Sequence, residues 1–159
     1  MIKWAKVCDE ETGACIVGLG EDEEYYRSEG FSELDVELGY RGGWYLAGRA
    51  PEQPLEELKA ETCSYLWTAF KEWQTERVDA EDLVLASMGS LAGLPKCAAV
   101  RNWVMALWGE YYRRKDMIEG AARAEEVRAV ELSASSCGEP PYTIRELNEE
   151  VKNSGAAAE

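Results

Sequence analysis

The apolar residues of this chain change their spacing once, across a pair of prolines. Before Pro51 they come in short extended-looking runs: Ile2, Trp4 and Val7, then Ala14, Cys15, Ile16 and Val17. After Pro54 they recur every three or four residues: Leu55, Leu58, Tyr65, Leu66, Ala69, Phe70 and Trp73, with Thr62 on the same stripe. A period near two lays side chains on the faces of a strand; a period of 3.6 lays them on one side of a helix. The chain is therefore predicted to be α+β. A small β-rich module over 1–50 leads through a 51–54 proline linker to a helical domain over 55–132. A loop, a short helix and a frayed tail complete it over 133–159. Two prolines three apart stiffen the linker and bar helix before Pro54, which can itself be the first helical residue.

Within the first module, the polar stretch Asp9–Gly13 between two apolar runs predicts an antiparallel hairpin. Asp22–Ser28 is predicted as a short helix, its acids at the positive end of the helix dipole and Gly30 stopping it. Ser32–Leu38 reads as a second helical turn, with Ser32 as N-cap. Gly42-Gly43 then precedes an aromatic third strand, Trp44–Ala47. Strand registers stay unassigned, and a fourth strand stays open.

In the helical part, the first helix is expected to run to about Glu76. Asp79 is the predicted N-cap of 80–88, with Asp82 at the capping-box position and Gly89 and Gly93 ending the helix. Pro95 opens the longest helix, whose stripe is Val100, Trp103, Val104, Leu107, Trp108, Tyr111 and Ile118. The Ala-, Glu- and Arg-rich stretch 121–132 is expected to prolong it. Short connections suggest an α-helical hairpin or a three-helix bundle. Thr143 and Glu146 form a second capping box, opening a helix to about Lys152.

The 31 acidic and 17 basic residues leave a net charge of −14, and there is no histidine. A Ser-His-Asp or Cys-His unit is thus excluded within the chain, as is any histidine-ligated metal. Binding of nucleic acid through a basic surface is disfavoured. The five cysteines, at 8, 15, 63, 97 and 137, form no C-x-x-C pair and suggest reduced packing residues, though Cys8 and Cys15 flank the predicted hairpin turn. No apolar run approaches a membrane span, and the N-terminus lacks a signal-peptide pattern. The expected location is the cytoplasm of the producing cell.

Several stretches invite a chemical reading and then lose it. Val17-Gly18-Leu19-Gly20 lacks the third glycine of a dinucleotide loop and the Gly-Lys-Ser/Thr of a P-loop. Glu21–Glu24 lacks the alternating acids and central glycine of a calcium loop. Arg113-Arg114-Lys115 is the only basic cluster, and Glu110 stands four residues before Arg114, placed for an intrahelical ion pair. No catalytic, metal-binding or cofactor-binding residue is assigned, and no cofactor is expected. The six Trp and eight Tyr against two Phe suit surfaces apolar on one side and wet on the other. Core packing accounts for most of the helical tryptophans; Trp44, Tyr45, Trp108 and Tyr112 are the candidates for a protein-binding patch.

The first fifty residues resemble a small module of tail-region proteins, associated with tail fibres and baseplates, of tailed phages and prophages. The resemblance lies in Met1-Ile2-Lys3-Trp4-Ala5-Lys6-Val7, Val17-Gly18-Leu19-Gly20, Glu24–Phe31 and Trp44-Tyr45-Leu46-Ala47-Gly48-Arg49-Ala50-Pro51. It covers about a third of the chain and carries over no functional residue, and the Trp-rich helical remainder departs from it. It implies a non-enzymatic structural or assembly protein that binds other tail or fibre proteins, with no membrane or direct nucleic-acid partner. A homo-oligomer is compatible with this, and incorporation into the virion is a further expectation. The alternative is an acidic phage-encoded decoy that occupies a host defence nuclease or another nucleic-acid-binding protein. A third class is a regulatory domain for an unknown host partner.

Overall fold

The computed structural model describes residues 1–156, and the chain divides after Pro54 into two compact units. The class is α+β, with antiparallel strands first and helices after.

In the first unit, strand β1 (Ile2–Asp9) and strand β2 (Ala14–Val17) form the expected hairpin. Helix α1 (Glu23–Ser28) follows, capped by the Asp22 carboxylate, which accepts from the Tyr25 amide. Strands β3 (Ser32–Leu38) and β4 (Trp44–Leu46) complete the unit. β1 pairs with β2 and β3, and β4 pairs with both of those, so the four strands close into a barrel in the order β1-β2-β4-β3. Ala5, Cys15 and Val36 fill its centre, with Val7, Val17, Leu34, Trp44 and Leu46 around them.

The helical turn expected at 32–38 is instead this closing strand. Leu34, Val36 and Leu38 alternate with acids, a period-two pattern that buries Val36 completely. Ser32 as a cap offers one local bond; as a strand, the segment pairs with two neighbours at once. The two hairpin cysteines do not face each other. The regular register sets Val7 opposite Cys15, and Cys8 falls in the register shift between Val7 and Asp9; Cys8 is exposed and Cys15 buried, both as free thiols. The glycine loop after β2 is closed from within: the Tyr26 ring packs against Gly18, where any side chain would collide with it. The Tyr26 hydroxyl also accepts the Gly20 amide at 2.7 Å.

The second unit contains helices α2 (Leu55–Arg77), α3 (Ala80–Leu91), α4 (Pro95–Gly120), α5 (Ala124–Arg128) and α6 (Ile144–Ala156). Gln74 of α2 meets Trp108 of α4, Phe70 meets Tyr111, and Lys59 meets Glu119, so α2 and α4 run antiparallel. At the other end of α4, Cys97 packs against Gly89 of α3 so closely that any side chain at 89 would collide with its sulfur. Gly89 therefore lies inside α3 rather than ending it, and the helix turns at Gly93 (φ +81°). The 26 residues of α4 span about 39 Å at 1.5 Å per residue. One half packs with α3 and α6 around Val100, Val104 and Leu147; the other packs with α2 and α5 around Leu66, Phe70, Leu107 and Ile118. Trp103 and Trp108 touch both clusters.

The long helix stops at Gly120 and does not continue to 132. Ala121 is extended, and only 124–128 is helical again. A straight continuation would carry the segment past the end of α2. Turning back buries Ala121, Val127, Val130 and Ala134 in the same cluster as Phe70, and that burial outweighs helix propensity. Both capping boxes form as expected: Asp79 with Asp82, and Thr143 with Glu146. α6 runs on to Ala156, four residues beyond the expected helix end; the rest of the tail, 157–159, lies outside the described residues.

Candidate docking surface

The four residues singled out in the sequence lie in different settings. Trp44 packs partly into the barrel core, with the Lys3 ammonium 5.2 Å from its ring centre. The Tyr45 ring covers the Gly39–Gly43 turn and lines a shallow groove with Glu11, Thr12, Ala14, Gly48, Arg49 and Pro51. The Arg49 guanidinium closes one wall by donating to the Glu10 and Glu11 carbonyls. Trp108 is half-buried, and its indole N–H donates to Gln74 Oε1 at 2.6 Å. It stacks edge-on against Tyr111, which in turn contacts the exposed Tyr112. Trp108 is thereby engaged in joining α2 to α4, whereas Tyr112 presents its ring to solvent.

The basic cluster is also structural. Arg114 is buried in a cleft of about 280 Å³ with Trp103, Glu110, Ser136 and Cys137. Its Nε donates to Glu110, Nη1 to the carbonyls of Glu131 and Ser133, and Nη2 to Ser136 Oγ, with the Glu131 carboxylate 3.4 Å away. A guanidinium has five N–H groups; four of them donate to these partners, and the Glu131 carboxylate balances the charge. Arg113 and Arg114 together hold the Glu110 carboxyl down to about 2. Arg114 ties the 131–136 segment to α4. The Trp103 indole N–H, shielded from solvent, is without a partner.

The longest uncharged run of the sequence lies elsewhere, on α3 and the turn after it. No charged residue occurs between Asp82 and Lys96. The inward face of α3 carries Ala86 and Gly89 against α4. Its outward face carries Val84, Met88 and Leu91, which are 57%, 65% and 89% exposed. Positions 84, 88 and 91 fall on one side of the helix, so they make a continuous apolar stripe. Met88 also borders a groove of about 270 Å³, with Leu85, Gly89, Ala92 and Leu94 on one side and Val151 and Ser154 of α6 on the other. Exposed apolar residues scattered singly need no explanation, whereas here three on one side of the helix adjoin an apolar groove, which makes this face the candidate docking surface. The sequence reading passed over it because α3 looked like an ordinary core helix; the signal was the long uncharged stretch.

α6 forms its wall of the groove because of one carboxylate. Leu94, the N-cap of α4, has no side chain to offer the free amides of that helix. Glu150 of α6 supplies the cap across space, accepting from the Lys96 and Cys97 amides at 3.0 Å each. Burial pushes the Glu150 carboxyl up, but these two amides, the Cys97 thiol and the Lys96 charge together hold it below the ordinary carboxylate range.

Comparison with family models, with curated proteins and with solved structures finds no match for this chain. Among the described residues, no three His, Cys, Asp or Glu side chains converge as metal ligands, and no helix is long and apolar enough to cross a membrane.

Proposed function

We propose that this protein is a non-enzymatic, tail-associated structural or assembly protein of a phage or prophage, acting by binding other tail or fibre proteins. The observation that carries the binding role is the exposed Val84–Met88–Leu91 stripe with its adjoining groove. The tail setting comes from the resemblance of residues 1–50. The distribution of charge supports protein binding over the decoy reading. A nucleic-acid mimic needs its acids in line at phosphate-like spacing. Here Glu110, Glu119, Glu126, Glu139 and Glu149 are each paired with a nearby Lys or Arg. The proposed location is the cytoplasm of the producing bacterium, with incorporation into the virion.

The test is affinity purification of the tagged full chain from prophage-induced cells, with wild type and Leu91→Glu side by side. The reading expects identified tail, fibre or baseplate proteins with the wild type and their loss with the variant. Recovery of a host nuclease, released as salt rises, would move the assignment to the acidic decoy. Absence of any tail protein from both samples would refute the tail role.

A further inference from the structure

Helix α6 is tied to the second unit at few points. Ile144, Leu147 and Val151 pack into the cluster around Val100 and Val104, and of the three only Leu147 is fully buried. Among the described residues, every hydrogen bond from α6 to another element goes to Glu150, which accepts from the Lys96 and Cys97 amides and from the Cys97 thiol. The remaining side-chain bonds of α6 stay within it and its cap: Thr143 with Glu146, Arg145 with Glu149, Asn148 with the Ile144 carbonyl. The chain that leads into α6 is clamped to α2 as far as Glu139. Trp73 donates to the Gly138 carbonyl at 3.3 Å, and Arg77 donates to the Glu139 carboxylate at 2.6 and 2.8 Å. Beyond the clamp come Pro140 and Pro141, which have no amide hydrogen to donate, and Tyr142, whose ring centre lies 5.4 Å from the Lys96 ammonium.

We infer that α6 is a detachable strap: it lifts from α3 and α4 about the 140–143 stretch while α2 to α5 stay folded, and by lifting it widens the apolar groove beside Met88. Opening breaks one helix cap and uncovers one fully buried side chain and two half-buried ones. Global unfolding breaks α4 and uncovers both clusters, so the strap opens at a much smaller cost and much more often. The clamp at Gly138 and Glu139 confines the motion, because the chain before it stays on α2. Val151 and Ser154 form one wall of the groove, and that wall leaves with α6. The folded chain thus has two forms of the same apolar face, one narrow and one wide. Cys97 reports which form is present: it is fully buried, and both its amide and its thiol reach Glu150. The opening is a property of the fold and stands whether or not the tail role does.

The experiment treats the reduced full chain with iodoacetamide under native conditions and follows alkylation of Cys97 by peptide mass spectrometry, with amide exchange read on the same samples. In the wild type, Cys97 should react, and the α6 amides exchange, at least tenfold faster than the amides around Phe70 and Ile118, which open only with the whole unit. Low urea should barely change the Cys97 rate, since little surface is exposed in the opening. Glu150→Ala should speed Cys97 alkylation about tenfold, the equivalent of one lost cap, with a smaller effect on the ratio for Glu150→Gln, which keeps an acceptor. The comparison within the wild type stands by itself if the alanine variant does not fold. Alkylation of Cys97 no faster than exchange around Phe70 and Ile118, a steep urea dependence, or a Glu150→Ala effect that speeds all sites equally would each overturn the inference, because α6 would then leave only when the whole unit unfolds.

Discussion

Replacing Glu150 by alanine separates two explanations for how α6 is held. If Leu147 and Val151 hold it by burial alone, the carboxylate is dispensable. If the carboxylate caps α4, its loss leaves the Lys96 and Cys97 amides without acceptors at the start of a 26-residue helix. Loss of an N-cap costs about 0.5–2 kcal/mol, and a carboxylate at the positive end of a helix adds about 0.3–1 kcal/mol. The expected cost of Glu150→Ala is therefore about 1–3 kcal/mol, or roughly 4–14 °C in Tm for a unit of this size. Glu150→Gln, which keeps an acceptor but not the charge, should fall between the two. Urea unfolding followed by circular dichroism should show a lower midpoint at unchanged slope. The pH dependence supplies the decisive check. The folded carboxyl lies below its unfolded value of about 4.3, so its contribution is present above that pH and is lost as the pH falls through the folded value. The wild-type and Glu150→Ala curves should converge in acid. Equal midpoints at neutral pH, or an undiminished gap in strong acid, would refute the cap.

Three further outcomes follow from the same geometry. Arg114→Lys should cost about 2–4 kcal/mol in chemical denaturation, because an ammonium cannot span Glu110, two carbonyls and Ser136; a near-neutral result would mean that the 131–136 segment is held by its apolar contacts alone. Gly89→Ala should lower the unfolding free energy by about 1–3 kcal/mol despite alanine's better helix propensity, since the added methyl meets the Cys97 sulfur. Carbon-13 NMR of the Glu110 carboxyl should show titration near 2, moving up when Arg113 is replaced by alanine in a chain that keeps Arg114.

The parts of the fold that were legible in the sequence are those that local pattern decides. The stripes of α2 and α4, the two capping boxes and the β1–β2 hairpin needed no knowledge of distant residues. In β3, Ser32 as an N-cap imitates a helix start, while the reason for a strand, two partners on opposite sides, lies in other parts of the chain. The break at Gly120 was missed for a related reason: 121–132 has the composition of a helix, and only the cluster around Phe70 rewards turning back. Of the candidate docking residues, Tyr112 is exposed and Trp108 is tied to Gln74. Spacing alone does not tell an indole that faces a neighbouring helix from one that faces water. The α3 stripe was legible as composition, thirteen consecutive uncharged residues in a chain where 30% are charged, but its exposure depends on α4 and α6 covering only part of it.

The long helix also has a thermodynamic consequence. The second unit has two separate apolar clusters, and two clusters ordinarily permit two melting steps. Here a single backbone rod runs through both, and Trp103 and Trp108 belong to each. Neither cluster can lose its share of α4 without unravelling hydrogen bonds at the edge of the other. The unit should therefore unfold in one step. A binder on α3 would then be felt at the far end as slower amide exchange around Phe70 and Ile118, a reach conferred by shared secondary structure and needing no change of shape.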